Sequence, residues 1–219
     1  MTGAVALPAW PVRCGTFSAP TPLARKASMG AIDVRNLARA AAAGDQHGWD
    51  GLVERFGELV WSTTRAYGLS PGDGADAAQT TWLRLAEQLG YLEDQHERLG
   101  VWLAATARRE SLRLLGAARG ATATAAAPPG PAAEPTPDGV PGPGAQGREA
   151  LLWRVVRELP ENCRRLLRIL LTVPPPSHEE VSAALDLPVA GIAAARDACL
   201  QDFRHRMSDF SIRADAEDS

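Results

Sequence analysis

The sequence predicts an all-α protein: two small helical domains joined by a flexible Ala/Gly/Pro-rich linker, the second domain containing a helix-turn-helix. Three observations predict it. Trp49, Leu52, Phe56, Leu59, Thr63 and Tyr67 recur at intervals of three and four, which is the period of one helix face and conflicts with strand alternation. Of the 33 residues at 116–148, 24 are Ala, Gly or Pro, and Val140 is the only larger aliphatic. A core cannot pass through such a tract without stranding buried backbone donors and acceptors. Beyond it, two short helical patterns meet at the corner Leu185-Asp186-Leu187.

Residues 1–30 contain Pro8, Pro11, Pro20 and Pro22 without a helical or strand period and read as a disordered leader. Met29 offers a later translation start. The first domain is expected over 31–115. Its first helix begins near Ile32, with Val34, Leu37 and Ala41 on one face, and Gly44 and Asp45 interrupt it. The Trp49-to-Tyr67 stripe, widened by Val53 and Val60, forms the second helix, which Gly68, Pro71, Gly72 and Gly74 break. A third is expected from Asp73 or Asp76, whose carboxylates suit the positive end of a helix. Ala78, Trp82, Leu85 and Leu89 form its apolar stripe, Gly90 ends it, and residues 91–99 read as a polar loop. The fourth helix, from about Gly100 to Leu115, turns Trp102, Ala105 and Leu112 inward and Arg108, Arg109 and Arg113 outward.

The linker 116–148 can continue that helix for a turn or two before repeated Pro and Gly stop it. The second domain is expected over 149–206. Leu152, Val155, Val156 and Leu159 line a helix that Pro160 ends, and Leu166, Leu167, Leu170 and Leu171 line the next, which Pro174-Pro175-Pro176 stops. Ser177 caps a following helix and Glu180 returns the bond, the capping-box pattern. Val181 and Ala184 face inward. After the corner, Pro188 suits the first turn of a last helix, with Ile192, Ala195, Cys199 and Phe203 on one side. Residues 207–219 read as an acidic, solvated tail.

A formal charge of -3 and a pI of about 5.8 argue against a nonspecific DNA coat. Cys14, Cys163 and Cys199 are too few and too scattered for a bridged framework, so a reducing cytoplasm is the expected setting. No apolar run approaches the roughly 20 residues of a membrane span, and the start lacks the basic end and sustained apolar core of a secretion signal. Enzyme chemistry has no foothold. There is no phosphate-cradling glycine motif, nucleophile elbow or metal-ligand spacing, and His47, His96, His178 and His205 are dispersed. Cys163 and Cys199 have hydrophobic neighbours and read as buried. Trp49, Trp82 and Trp102 fit core stripes, while Trp61 lies beside one.

The arrangement resembles a bacterial extracytoplasmic-function sigma factor of the sigma-70 family. The residues that carry the resemblance are Asp76-Ala77-Ala78-Gln79-Thr80-Thr81-Trp82-Leu83-Arg84, then Val101-Trp102-Leu103 through Arg108-Arg109-Glu110. Leu159-Pro160-Glu161-Asn162-Cys163-Arg164-Arg165, Ser177-His178-Glu179-Glu180-Val181 and Leu187-Pro188 continue it in the second domain. The Ala/Gly/Pro bias suggests a high-GC, actinobacterial-like genome.

The resemblance implies core RNA polymerase and promoter DNA as partners, an anti-sigma factor as a further one, and no cofactor, metal, catalysis or membrane insertion. It places Asp76, Gln79, Leu83 and Arg84 on the polymerase core. Read alone, Asp76 is a helix-start carboxylate and Gln79 a solvated polar residue. The resemblance places Tyr91, Arg108, Arg109 and Arg113 at the -10 element. Tyr91 could stack on an extruded base or simply close a helix end, and the arginines could neutralise phosphates or form a solvated face. Arg196, Arg204 and Arg206 are placed at the -35 element. The corner carries Asp186 where the family commonly has Gly, although Asp tolerates left-handed backbone. The last helix is poor in polar residues and interrupted by Asp197 and Asp202. That departure keeps two other readings open: a polymerase-independent helix-turn-helix regulator, and a core-binding adaptor with weakened promoter recognition. Deleting residues 1–28 is expected to leave core-dependent transcription largely intact in a run-off assay; loss of core binding would show that the leader belongs to the first domain.

Overall fold

A computed structural model describes residues 34–124 and 148–217, and every regular element in them is helical. The leader 1–30 and the linker beyond Thr124 lie outside the described residues, apart from Arg148. Helix α1 (Val34–Ala42) buries Ala38 and Ala41 against α2 (Gln46–Ala66). The crossing is close because α2 carries Gly48 there; a side chain would strike Ala40 and Ala41. Asp45 caps α2, its carboxylate accepting the His47 N–H at 3.0 Å.

The predicted stripe of Leu52, Phe56, Leu59 and Thr63 is buried, but the end of α2 is enclosed on nearly all sides. Hydroxyl groups there find partners within the helix, as buried polar groups must. Ser62 and Thr63 donate to the Leu59 carbonyl at 3.2 and 2.7 Å, and Thr64 donates to that of Trp61 at 2.9 Å.

Helix α3 (Pro71–Leu92) starts before either predicted aspartate. Pro71 takes the first helical position, where its missing N–H costs nothing. The Ser70 hydroxyl accepts the Asp73 N–H at 3.1 Å and donates to its carboxylate at 2.7 Å. Gly90 does not end α3. The helix continues to Leu92 and enters a 3-10 turn (Glu93–Arg98), so the expected polar loop is helical. Helix α4 (Leu99–Thr124) follows and extends into the tract read as linker. Its buried apolar positions are Leu99, Leu103, Ala104 and Ala107, with Gly100, Thr106, Glu110 and Ser111 also buried; of the residues expected inward, Trp102 is partly buried against the core and Ala105 half-buried, but Leu112 is 43% exposed. The shift arises because α4 is packed from two sides, by α2 and α3 and by α7 of the second module.

In the second module, α5 (Arg148–Glu158) buries Val155 and leaves Leu152 exposed. Helix α6 (Glu161–Leu170) buries Cys163, Leu166 and Ile169, while Leu171 caps it in solvent at 76% exposure. Helix α7 (His178–Leu185) carries the predicted capping box. The Ser177 hydroxyl accepts the Glu180 N–H at 3.2 Å, and the Glu180 carboxylate accepts the Ser177 N–H at 2.6 Å. Asp186 takes the left-handed conformation at the corner, with φ 60°. Pro188 precedes a 3-10 turn (Val189–Gly191), so α8 (Ile192–Glu217) starts later than expected. It runs on through the acidic residues read as a tail.

The expectation of unbridged cysteines is overturned. Cys163 on α6 and Cys199 on α8 form a disulfide, with Cα atoms 5.4 Å apart across 36 residues of sequence. Helix packing creates this proximity, and spacing along the chain does not encode it. Such a bridge is uncommon in a reducing compartment.

The two modules share one hydrophobic cluster. It runs from Leu52, Leu85 and Leu103 to Leu166, Val181 and Ile192, with α7 seated on α4 and α6 on α2. Each fully buried Leu or Ile in it contributes about 1.5–3 kcal/mol of transfer free energy. Tyr67, the C-terminal cap of α2, is central to the seam. Its hydroxyl donates to the Ala184 carbonyl at 2.8 Å, and the Arg165 guanidinium lies 5.1 Å from its ring centroid. Burial raises the Tyr67 pKa, opposed by the nearby Arg108 and Arg165 charges, so the hydroxyl stays protonated at neutral pH. Closing a 36-residue loop is worth about 2–4 kcal/mol. Reduction, or the double change Cys163→Ala and Cys199→Ala, should therefore lower the urea stability of the second module by about that much. A midpoint unmoved by dithiothreitol would show that the bridge adds nothing to the fold.

Candidate functional site

Helix α3 presents Asp76, Gln79 and Leu83 at intervals of three and four, along one side, while Ala77, Ala78, Thr81, Leu85 and Leu89 are buried on the other. Asp76 and Gln79 are exposed and Leu83 is half-buried. A partner can therefore read these side chains without disturbing the core.

Arg84, the fourth residue of this group, is tied down. Its Nε lies 2.9 Å from Glu110 Oε1, and Arg113 Nε lies 2.8 Å from Glu110 Oε2. The Glu110 side chain is 5% exposed. One buried carboxylate thus joins α3 to α4 and holds two half-exposed guanidinium groups in place, the charge-assisted geometry that fixes orientation best. By sequence, Glu110 belongs only to the motif that runs from Val101 to Glu110. Its i,i+3 spacing to Arg113 was a visible signal; its reach to Arg84 required the crossing of two helices.

The three α4 arginines do not act as one patch. Arg109 and Arg113 are exposed, Arg109 donating to the Thr106 hydroxyl at 3.1 Å. Arg108 turns instead to the second module, its Nη2 2.5 Å from Asp186 Oδ2. Tyr91 is 84% exposed at the end of α3, a ring open to stacking.

The α8 arginines are also separated. Arg196 is exposed and bonds its neighbour Asp197 through Nε and Nη2, at 3.0 and 2.8 Å. Arg204 is exposed. Arg206 bonds Asp202 at 3.0 Å and approaches Glu158 of α5 at 3.9 Å, so it braces α8 as much as it faces solvent. The exposed start of α8 is small and apolar, with Ala193 and Ala194 preceding Arg196. Among the described residues no group of three His, Cys, Asp or Glu could hold a metal ion, and no helix is long and apolar enough to cross a membrane.

Fold and surface together define an all-α protein with exposed polar side chains along α3 and exposed arginines on α4. Residues 52–120 match the family model Sigma-70 region 2, which places the match on α2, α3 and α4 and includes Asp76 through Arg113. No curated protein matches the chain. Among solved structures, that of CnrH in complex with the cytosolic domain of CnrY is similar in fold, with a TM-score of 0.50 and 20% sequence identity, covering 80% of this chain and 97% of that one.

Glu110→Gln keeps the shape of the side chain and removes the charge both arginines need. It should cost about 1–3 kcal/mol in urea unfolding. In a double-mutant cycle with Arg84→Ala the two losses should fall well short of additive; additive losses would show that the pair is not coupled.

Proposed function

We propose that the chain is a sigma factor of the extracytoplasmic-function kind, which joins core RNA polymerase in the cytoplasm and directs it to promoters. The observation that carries the proposal is the region 2 match falling on α2–α4, whose solvent side bears Asp76, Gln79 and Leu83 on one helix and Arg109 and Arg113 on the next. In this reading α3 holds the polymerase. Arg109 and Arg113 neutralise phosphates beside the -10 element, and Tyr91 receives an unstacked base. The chain does no covalent chemistry. Opening the duplex costs a few kcal/mol, offset by capture of the exposed base and by polymerase contacts.

The second module, by the same reading, lays α8 in the major groove of the -35 element. Arg196 and Arg206 already have carboxylate partners there, so this contact should be weak alone and strongly salt-dependent. Two weak contacts on one large assembly still yield selectivity, because the first raises the effective concentration of the second. The same pairing favours a second reading, a core-binding adaptor with reduced -35 recognition. An inhibitory protein partner, an anti-sigma factor, also belongs to the proposal, since the similar protein CnrH is found in complex with part of CnrY.

Run-off transcription with core polymerase over a promoter library tests the proposal. Core-dependent transcripts are expected. Arg109→Glu with Arg113→Glu should reduce open-complex formation at least tenfold while core binding persists. Core binding without any transcript would favour the adaptor, and no core binding would overturn both readings.

A further inference from the structure

We propose that Glu110 is a positioning residue for both macromolecular contacts of the first module: its buried carboxylate sets Arg84 for the polymerase and Arg113 for promoter phosphate. The proposal rests on the sigma-factor reading, which supplies those two ligands.

Both arginines meet Glu110 by the same edge. Arg113 donates from Nε to Oε2 at 2.8 Å, and Arg84 Nε lies 2.9 Å from Oε1. A guanidinium carries five N–H donors, four of them on its two Nη atoms. Approach at Nε leaves those four for an outside ligand, and the two side chains are 46% and 57% exposed for Arg84 and Arg113. The Glu110 side chain is only 5% exposed, so a ligand meets the guanidinium groups and not the carboxylate behind them. Arg196 is the opposite case. Its Nε and Nη2 both go to Asp197, whose side chain is 60% exposed, and a phosphate there must displace a carboxylate.

An unrestrained arginine gives up rotamer freedom when it binds a phosphate or a carboxylate. One anchored at Nε has given it up already, so the ligand finds a fork in place. Sharing the anchor also ties the two arginines together. Loss of either one leaves a buried carboxylate with a single partner, which is costly. The two ligand surfaces are neighbours in the fold. Arg84 directly follows Leu83 of the exposed α3 side, and Arg113 lies one helical turn beyond Arg109 on α4. A single side chain thus sets one contact on each of two crossing helices.

The test uses the full chain with Glu110→Gln and Glu110→Asp. The amide keeps the shape and loses the charge; Asp keeps the charge and draws it back by one methylene. Circular dichroism at the assay temperature checks that each variant is folded. Core binding is titrated first, and binding of a single-stranded -10-type oligonucleotide is then measured at saturating core polymerase across a salt series. Glu110→Gln should weaken each about fivefold. It should also flatten the log–log salt dependence of oligonucleotide binding by about 0.7, the loss of one phosphate contact. Glu110→Asp should fall between, and is read alone if the amide variant does not fold. In an Arg113→Ala background, Glu110→Gln should leave the salt slope where Arg113→Ala put it.

A carboxylate that only masked Arg113 would, on removal, tighten oligonucleotide binding and steepen the slope. One that only held the fold would leave both unchanged in the folded variant. Either result overturns the proposal, as does a further loss of slope in the Arg113→Ala background. If the parent binds neither core nor oligonucleotide, the sigma-factor reading fails and this role with it; if the parent binds both and the variants match it, the positioning role alone fails.

Discussion

An eight-residue helix closes too few internal hydrogen bonds to persist in water, and α7 has eight residues. It exists because Val181 and Ala184 are buried among neighbours and because Ser177 and Glu180 cap its start from both directions. Its largest neighbour is α4, an element of the other module. The need to shelter this short helix therefore joins two bodies that the chain connects only through a long Ala/Gly/Pro-rich tract. The altered inner face of α4, the burial of Glu180 and the position of Tyr67 all follow from that seating.

The charges show a related economy. Arg84 and Arg113 share Glu110, Arg108 takes Asp186, Arg196 takes Asp197, and Arg206 takes Asp202. An acidic chain thus keeps most of its candidate nucleic-acid contacts paired with its own carboxylates. Where such a pair is half-exposed, its net worth is small, and a phosphate can replace the carboxylate at little cost. Glu110 differs because its carboxylate is buried. There the pairing holds the guanidinium groups in a fixed relation to the two helices that present them.

Much of this architecture was legible in the residues. The stripe from Leu52 to Thr63, the capping box at Ser177 and Glu180, and the left-handed corner at Asp186 are local. Each depends on a few neighbouring side chains and the three- and four-residue helical repeat. The structure departs from the local pattern where local signals compete. Gly90 read as a stop, yet helical propensity carried α3 past it to Leu92. Asp73 read as a start, while Ser70 and Pro71 supplied a better one. Leu112 and Leu171 read as core, but neither finds a neighbouring element to cover it. The placement of Asp76, Gln79 and Leu83 along one side of α3 was legible from their spacing. The partners of Arg84 and Arg108 were not, since each lies on an element remote in the chain.

Periodicity and capping chemistry by themselves determined an all-helical chain and set Asp76, Gln79 and Leu83 along one side of α3. Those properties arise from interactions within about one helical turn, which residue order specifies directly. Only the tertiary structure decided that Cys163 meets Cys199, that Glu110 serves two arginines, and that Arg108 faces Asp186 across a closed seam. Except for the i,i+3 contact of Glu110 with Arg113, these pairings join residues on different helices, so they follow from how the helices pack and not from local residue order.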